Sequence, residues 1–161
     1  MSYFIIIRGP AGCGKTTIAK ILKEKLKAEY FSFDEILEKY QLEISDGRGI
    51  SKESFLKANE LIVADAKKII DEGKIVIFDG CFYHKEQLEN LEKSLPFKHF
   101  IFDLKASVKE CIYRDKTRKS IGENAIKAVH NMVSEFDYGI PIDTEEKTQD
   151  EVASELLEIL K

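Results

Sequence analysis

Gly9-Pro10-Ala11-Gly12-Cys13-Gly14-Lys15-Thr16-Thr17 is the stretch that decides the fold. Four residues separate Gly9 from Gly14 and Lys-Thr follows, which is the spacing of a phosphate-binding loop. An apolar run, Tyr3-Phe4-Ile5-Ile6-Ile7, precedes it and reads as a buried strand. Ile18, Ile21, Leu22 and Leu26 follow it at helical spacing. Strand, loop and helix in that order are the context the pattern requires. The glycines let successive backbone N–H groups turn toward one anion, and the helix starting near Lys15 adds its positive end. Lys15 is expected at the β- and γ-phosphates, Thr16 at Mg²⁺, and Thr17 at the α-phosphate. A bound nucleoside triphosphate is the implied ligand.

Outward from the loop, strand-like and helix-like segments alternate. Strands are expected over Tyr3–Arg8, Tyr30–Phe33, Lys74–Phe78, Phe97–Leu104 and Ile140–Asp143. Between them run helical patterns, the longest opening at Ser51 as N-cap and closing at Gly73. Ser107–Arg118 and Glu123–Phe136 read as helices flanking a break at Lys119–Gly122. Alternation of this kind predicts a parallel sheet covered on both faces: an α/β protein, a three-layer α/β/α sandwich with a five-stranded parallel sheet. The 161 residues contain no repeat and no linker, so one domain over 1–161 is expected.

Composition narrows the class. Net charge is −4, which disfavours an extended nucleic-acid surface. No apolar run approaches membrane-spanning length, and no basic segment leads an apolar one at the N-terminus, so a cytoplasmic protein is expected. Cys13, Cys81 and Cys111 are odd in number and widely spaced, which excludes a zinc pattern and argues for free thiols. Cys13 sits at a helix N-terminus, where it is either a thiol of lowered pKa or simply a small residue that fits the loop. His84, His99 and His130 have no ligand spacing.

The loop alone serves kinases, GTPases and ATPases alike. No Asn-Lys-x-Asp run is present to read guanine. Four arginines occur in the whole chain, Arg8, Arg48, Arg114 and Arg118, and two of them lie four apart in Arg114-Asp115-Lys116-Thr117-Arg118. Asp34 ends the second expected strand and Asp79 follows the third. Each of the two carboxylates has a structural alternative, Asp34 as a helix cap and Asp79 as part of an Asp-Gly turn.

With these pieces the chain resembles the small P-loop kinases: shikimate, gluconate, polynucleotide and nucleoside monophosphate kinases. That resemblance implies the P-loop NTPase fold and transfer of the γ-phosphoryl group of ATP. It implies Asp34 as the group facing an acceptor hydroxyl and Asp79 with Thr16 at Mg²⁺. It implies Arg114 and Arg118 in a short lid around 114–122, closing over ATP, and Thr144 beside the adenine. The run Asp79-Gly80-Cys81-Phe82-Tyr83-His84 is similar to that of polynucleotide kinase relatives but carries Cys81 where Asn or Thr is usual. It is equally similar to an adenylate kinase run without its Pro-Arg. Phe82 and Tyr83 either stack on a base or pack under the next helix. Arg48, in Asp46-Gly47-Arg48-Gly49, either binds an anionic acceptor or is an exposed loop residue. A hydroxyl acceptor, on a small molecule or a nucleic-acid end, is the leading expectation. A nucleoside monophosphate kinase and a nucleotide-binding switch protein are the alternatives. Oligomeric state is not encoded in any feature of the sequence.

Overall fold

The computed structural model describes residues 1–118 and 120–161. Five strands form one parallel sheet: β1 (Phe4–Arg8), β2 (Glu29–Ser32), β3 (Val76–Gly80), β4 (His99–Lys105) and β5 (Ile140–Asp143), in the order β2-β3-β1-β4-β5. Helices α1 (Lys15–Leu26), α2 (Phe33–Lys39), α3 (Lys52–Asp71), α4 (Lys85–Ser94), α5 (Val108–Lys116), α6 (Glu123–Val133) and α7 (Gln149–Ile159) cover it. The expected α/β/α sandwich with five parallel strands is the observed one. Among the described residues no helix is long and apolar enough to cross a membrane.

The central strands are apolar on both faces because both are covered. Phe4, Ile6 and Phe78 point into one layer with Phe55, Ala58 and Ile62 of α3 and Leu88 and Leu91 of α4. Ile5, Ile7, Ile77 and Phe102 point into the other, with Ile18 and Leu22 of α1 and Val152 and Leu156 of α7. α3 starts on the expected Ser51, whose hydroxyl accepts from the Ser54 N–H at 3.2 Å. α7 starts on Thr148 with a reciprocal cap from Glu151.

Several boundaries differ from the sequence reading, and three of them bear on the site, each for a local reason. β3 runs on through Asp79 to Gly80, because β1 pairs with it at Ile7↔Asp79 and Arg8↔Gly80. Asp79 therefore lies in the strand and not in a turn after it. β2 stops at Ser32, which caps α2 by accepting from Glu35 N–H; Asp34 is thus in the first turn of the helix and is not its cap. α5 ends at Lys116 with Thr117 as C-cap, so Arg118 lies beyond the helix and does not share its face with Arg114. The lid segment expected over 114–122 is described except at position 119, which lies outside the described residues.

One polar contact runs through this apolar frame. Arg8 pairs in register with Asp103 of β4, and both are buried. Its Nη1 donates to both carboxylate oxygens, at 2.9 and 2.8 Å. Nε donates to Phe82 O at 3.1 Å and Nη2 to Val133 O at 2.7 Å, while the guanidinium lies 4.2 Å from the centre of the Phe136 ring. Breaking such a pair leaves an uncompensated buried charge, at a cost of about 3–5 kcal/mol. Arg8→Met and Asp103→Leu are each expected to lower urea-unfolding stability by that order. The double variant Arg8→Met with Asp103→Leu is expected to recover part of the loss. Two single losses that simply add in the double variant would contradict the pairing.

Candidate active site

The phosphate-binding loop joins β1 to α1 and is held by its own backbone. Cys13 N–H donates to Pro10 O at 3.2 Å, and Gly12 and Gly14 have φ of 87° and 92°. Only glycine fits at Gly12, where a Cβ would meet Cys111 O at 2.6 Å. Gly14 is the N-cap of α1 and supplies no side-chain cap, and the first turn carries no acidic residue. The positive end of α1 is therefore open to an anion. Gly9 and Ala11 complete the loop against Leu104 and the α1–α7 layer.

Lys15 is buried at 7% exposure and makes no hydrogen bond or ion pair among the described residues. Burial alone works against its charge. The surrounding Cys81, Cys13, Asp79 and Asp34 more than offset this and hold its pKa above the ordinary lysine range. An ammonium kept charged in a low-dielectric setting suits a phosphate ligand.

Asp79 is buried beside it, at 3% exposure. Its Oδ2 accepts from the Thr16 hydroxyl at 3.0 Å and from the Tyr30 hydroxyl at 2.5 Å. Its Oδ1 is buried without any partner. A buried carboxylate oxygen left bare needs an explanation, and a bound cation supplies one. Hard-oxygen donors from one carboxylate and one hydroxyl, with water completing the shell, are what Mg²⁺ takes. The residues present fit such an ion, and Asp79 and Thr16 are the two able to hold it. Among the described residues no cluster of three or more His, Cys, Asp or Glu side chains competes as a metal site. Thr17 lies next to Thr16, exposed in the same first turn.

Asp34 and Cys81 also lie within electrostatic reach of Lys15. Asp34 is exposed, and its charge reaches Lys15, Cys81 and Tyr83. The Cys81 thiol is pushed up to about 11 by burial, against the pull of Lys15. Tyr83 does not present a stacking face. It is buried, its ring stands edge-on to Phe55, and its hydroxyl accepts from Ile50 N–H at 2.8 Å. Phe82 is equally buried, against Phe33. Both rings therefore pack: the segment after β3 sets Tyr83 against Phe55 of α3 and Phe82 against Phe33 of α2. Tyr83 instead fastens the 45–50 loop, together with His84, whose Nε2 meets Ile50 O at 2.8 Å. That loop carries Arg48, which is exposed and ion-paired with Glu135 just past α6.

Arg114 closes the nucleotide side. Its Nη1 donates to Cys13 O at 3.0 Å and to Thr144 Oγ1 at 3.3 Å, Nη2 to Thr144 O at 3.1 Å, and Nε to Glu110 at 2.9 Å. Thr144 is itself buried and donates its hydroxyl to Lys105 O at 2.9 Å. Arg114 and Thr144 thus brace the loop from behind, beside a small opening that Gln149 and Lys147 also line. Arg118 is half exposed and 3.8 Å from Asp115. Asp115 fastens the lid turn by accepting from Ser120 Oγ at 2.6 Å and from the N–H groups of Ile121 and Gly122. The two arginines are therefore not equivalent: one is fixed to the loop, and the other rides on the lid turn.

This is the arrangement of a phosphoryl-transfer site, and comparison with known proteins agrees. Residues 5–131 match the model of a family described as AAA domain, and the chain belongs to that family. A Pyrococcus abyssi protein named "Putative adenylate kinase" is 30% identical over 162 residues, covering 98% of this chain and 83% of its own. A shikimate kinase from Azobacteroides pseudotrichonymphae is 37% identical over 93 residues, 53% of each chain. Among solved structures, a sugar kinase from Janibacter superposes with a TM-score of 0.81 over 99% of this chain and 95% of its own, at 15% identity, a likeness of fold. The chain is a P-loop kinase, an ATP-dependent phosphotransferase.

Two site residues, Tyr30 and Arg8, carry no signal in the sequence. Each reads as an ordinary strand position until β-sheet register places it. The Cys13 thiol is not of lowered pKa: burial outweighs the helix end and raises it to about 11. Cys111 behind it is likewise pushed up to about 11 by burial. A raised pKa leaves less thiolate at a given pH, so Cys13 and Cys111 are expected to resist iodoacetamide at pH 8 in the native protein. All three thiols should label after unfolding. Fast native labelling of Cys13, read by mass spectrometry, would contradict this.

Proposed function

We propose that this single-domain kinase transfers the γ-phosphoryl group of ATP to a hydroxyl acceptor. The observation that carries the reading is Asp34, an exposed carboxylate in the first turn of α2 whose charge reaches Lys15 and Cys81. A carboxylate there suits an incoming hydroxyl, whose proton it can accept. It opposes a second anion. A phosphate acceptor also needs uncommitted guanidinium groups. Arg8 is held by Asp103, Arg48 by Glu135 and Arg114 by the loop and Thr144, which leaves Arg118, half exposed and 3.8 Å from Asp115, for the transferred group.

In this reading the loop amides and Lys15 hold the β- and γ-phosphates. Thr144 and Gln149 border the nucleoside. Thr16 and Asp79 would hold Mg²⁺, which would neutralise phosphate charge there. The acceptor lies between Asp34, Arg48 and Cys81, over the Tyr83-fastened loop. Its hydroxyl oxygen bonds to the γ-phosphorus, the bond to the β–γ bridging oxygen breaks, the hydroxyl proton passes to Asp34, and ADP leaves. Arg114, fixed at the loop, and Arg118, on the lid turn, meet the charge that develops on the transferred group. The three free thiols suit a cytoplasmic setting.

A nucleoside monophosphate acceptor is the second reading. It is favoured by relatives named as adenylate kinases along nearly the whole chain, and by the exposed Arg48–Glu135 pair, which a phosphate can open at little cost.

Lys15→Ala is expected to abolish transfer while the chain stays folded. Asp34→Asn is expected to keep ATP affinity while turnover falls at least about tenfold. ADP release is to be followed with nucleosides, 5′-hydroxyl oligonucleotides, small hydroxy acids and nucleoside monophosphates. Unchanged turnover in Asp34→Asn removes its role. Turnover with nucleoside monophosphates alone selects the second reading, and ATP binding without any acceptor-dependent release marks a nucleotide-binding switch.

A further inference from the structure

The bare oxygen of Asp79 raises the question of what fixes its carboxylate. Thr16 belongs to the nucleotide loop and is itself a metal ligand in the reading above. The other donor is Tyr30, which comes from a different element altogether. β2 pairs with β3 at Tyr30↔Ile77 and Ser32↔Asp79, so Tyr30 lies two residues before the position opposite Asp79, on the same face of the sheet. Two residues of strand span roughly 6–7 Å, the reach of a tyrosine side chain. Its hydroxyl arrives at Asp79 Oδ2 at 2.5 Å, the same oxygen that Thr16 occupies at 3.0 Å. Both donors fall on one oxygen, and the other, Oδ1, is left buried and unpartnered.

We infer that Tyr30 is a positioning residue for the metal: its hydroxyl saturates Asp79 Oδ2 and so reserves Oδ1 for the divalent cation or its water. A phenol suits the task physically. It donates one hydrogen bond, its ring is anchored in the apolar layer under α1, and it brings no charge that would compete with the cation. Without it, Asp79 keeps a single donor, from a threonine that must also face the ligand. The carboxylate is then free to turn and share both oxygens. Partners that orient a ligating carboxylate are commonly worth 10–100-fold in metal affinity.

The inference rests on Asp79 as the metal carboxylate, and the test separates the two. Isothermal titration measures ADP binding in EDTA, then Mg²⁺ binding to the ADP-saturated protein, for the wild type, Tyr30→Phe and Asp79→Asn. Tyr30→Phe removes one atom from a half-buried ring, and urea unfolding checks that it folds. It is expected to leave metal-free ADP affinity within about twofold and to weaken Mg²⁺ binding about tenfold. In turnover, the Mg²⁺ concentration for half-maximal rate should rise by the same factor while the rate at saturating Mg²⁺ is kept. A merely structural role would move the metal-free step equally. Unchanged Mg²⁺ affinity, or equal weakening with and without metal, overturns the role of Tyr30. If Asp79→Asn also leaves Mg²⁺ binding intact, the metal reading of Asp79 falls, and the role of Tyr30 falls with it.

Discussion

The Arg8–Asp103 pair sits where the sheet gives way to the phosphate loop, and the rest of the site hangs from it. A buried ion pair adds little net stability, because desolvation offsets most of the attraction. What it supplies here is position. One guanidinium holds β4 through Asp103, the segment after β3 through Phe82 O and the end of α6 through Val133 O. Asp103 in turn accepts from Tyr138 N–H at 3.1 Å and pairs with Lys105 at 3.1 Å. The nucleotide loop starts at the next residue after Arg8. The strand carrying Asp79, the turn carrying Cys81 and the helix behind the lid are therefore referred to one fixed group.

That frame divides the site electrostatically. Lys15 is the buried cation at its centre, without a fixed partner among the described residues. Asp79 stands on the phosphate and metal side, with its charge anchored by two hydroxyls. Asp34 is exposed, and its charge reaches Lys15 and Cys81. Arg114 is tied to the loop carbonyl of Cys13, so part of the positive charge is preorganised and not delivered by closure. Arg118 is half exposed beside Asp115, which fastens the turn that follows α5.

Much of the fold was legible in the sequence. Central strands covered on both faces read as continuous apolar runs, and the loop pattern set the first strand and helix. Strand order and register were not legible, because partners such as Arg8 and Asp103, or Tyr30 and Asp79, lie 95 and 49 residues apart. Arg8 therefore read as a strand end and Tyr30 as an ordinary strand residue. Local competition explains the other differences. Ser32 outcompeted Asp34 as a cap, pairing with β1 extended β3 through Asp79, and burial outweighed the helix end at Cys13. Tyr83 read either as a ring stacking on a base or as one packing under the next helix; it packs, against Phe55 of α3, because the segment after β3 turns it inward.

The central claim is that the γ-phosphoryl group passes to a hydroxyl next to Asp34. Phosphorus NMR of one reaction tests it most directly, with ATP, Mg²⁺ and equal concentrations of nucleosides, hydroxy acids, 5′-hydroxyl oligonucleotides and nucleoside monophosphates. The account expects the growing product signal to be that of a phosphate ester, rising as ADP appears. A product signal that belongs only to a new phosphoanhydride would contradict it.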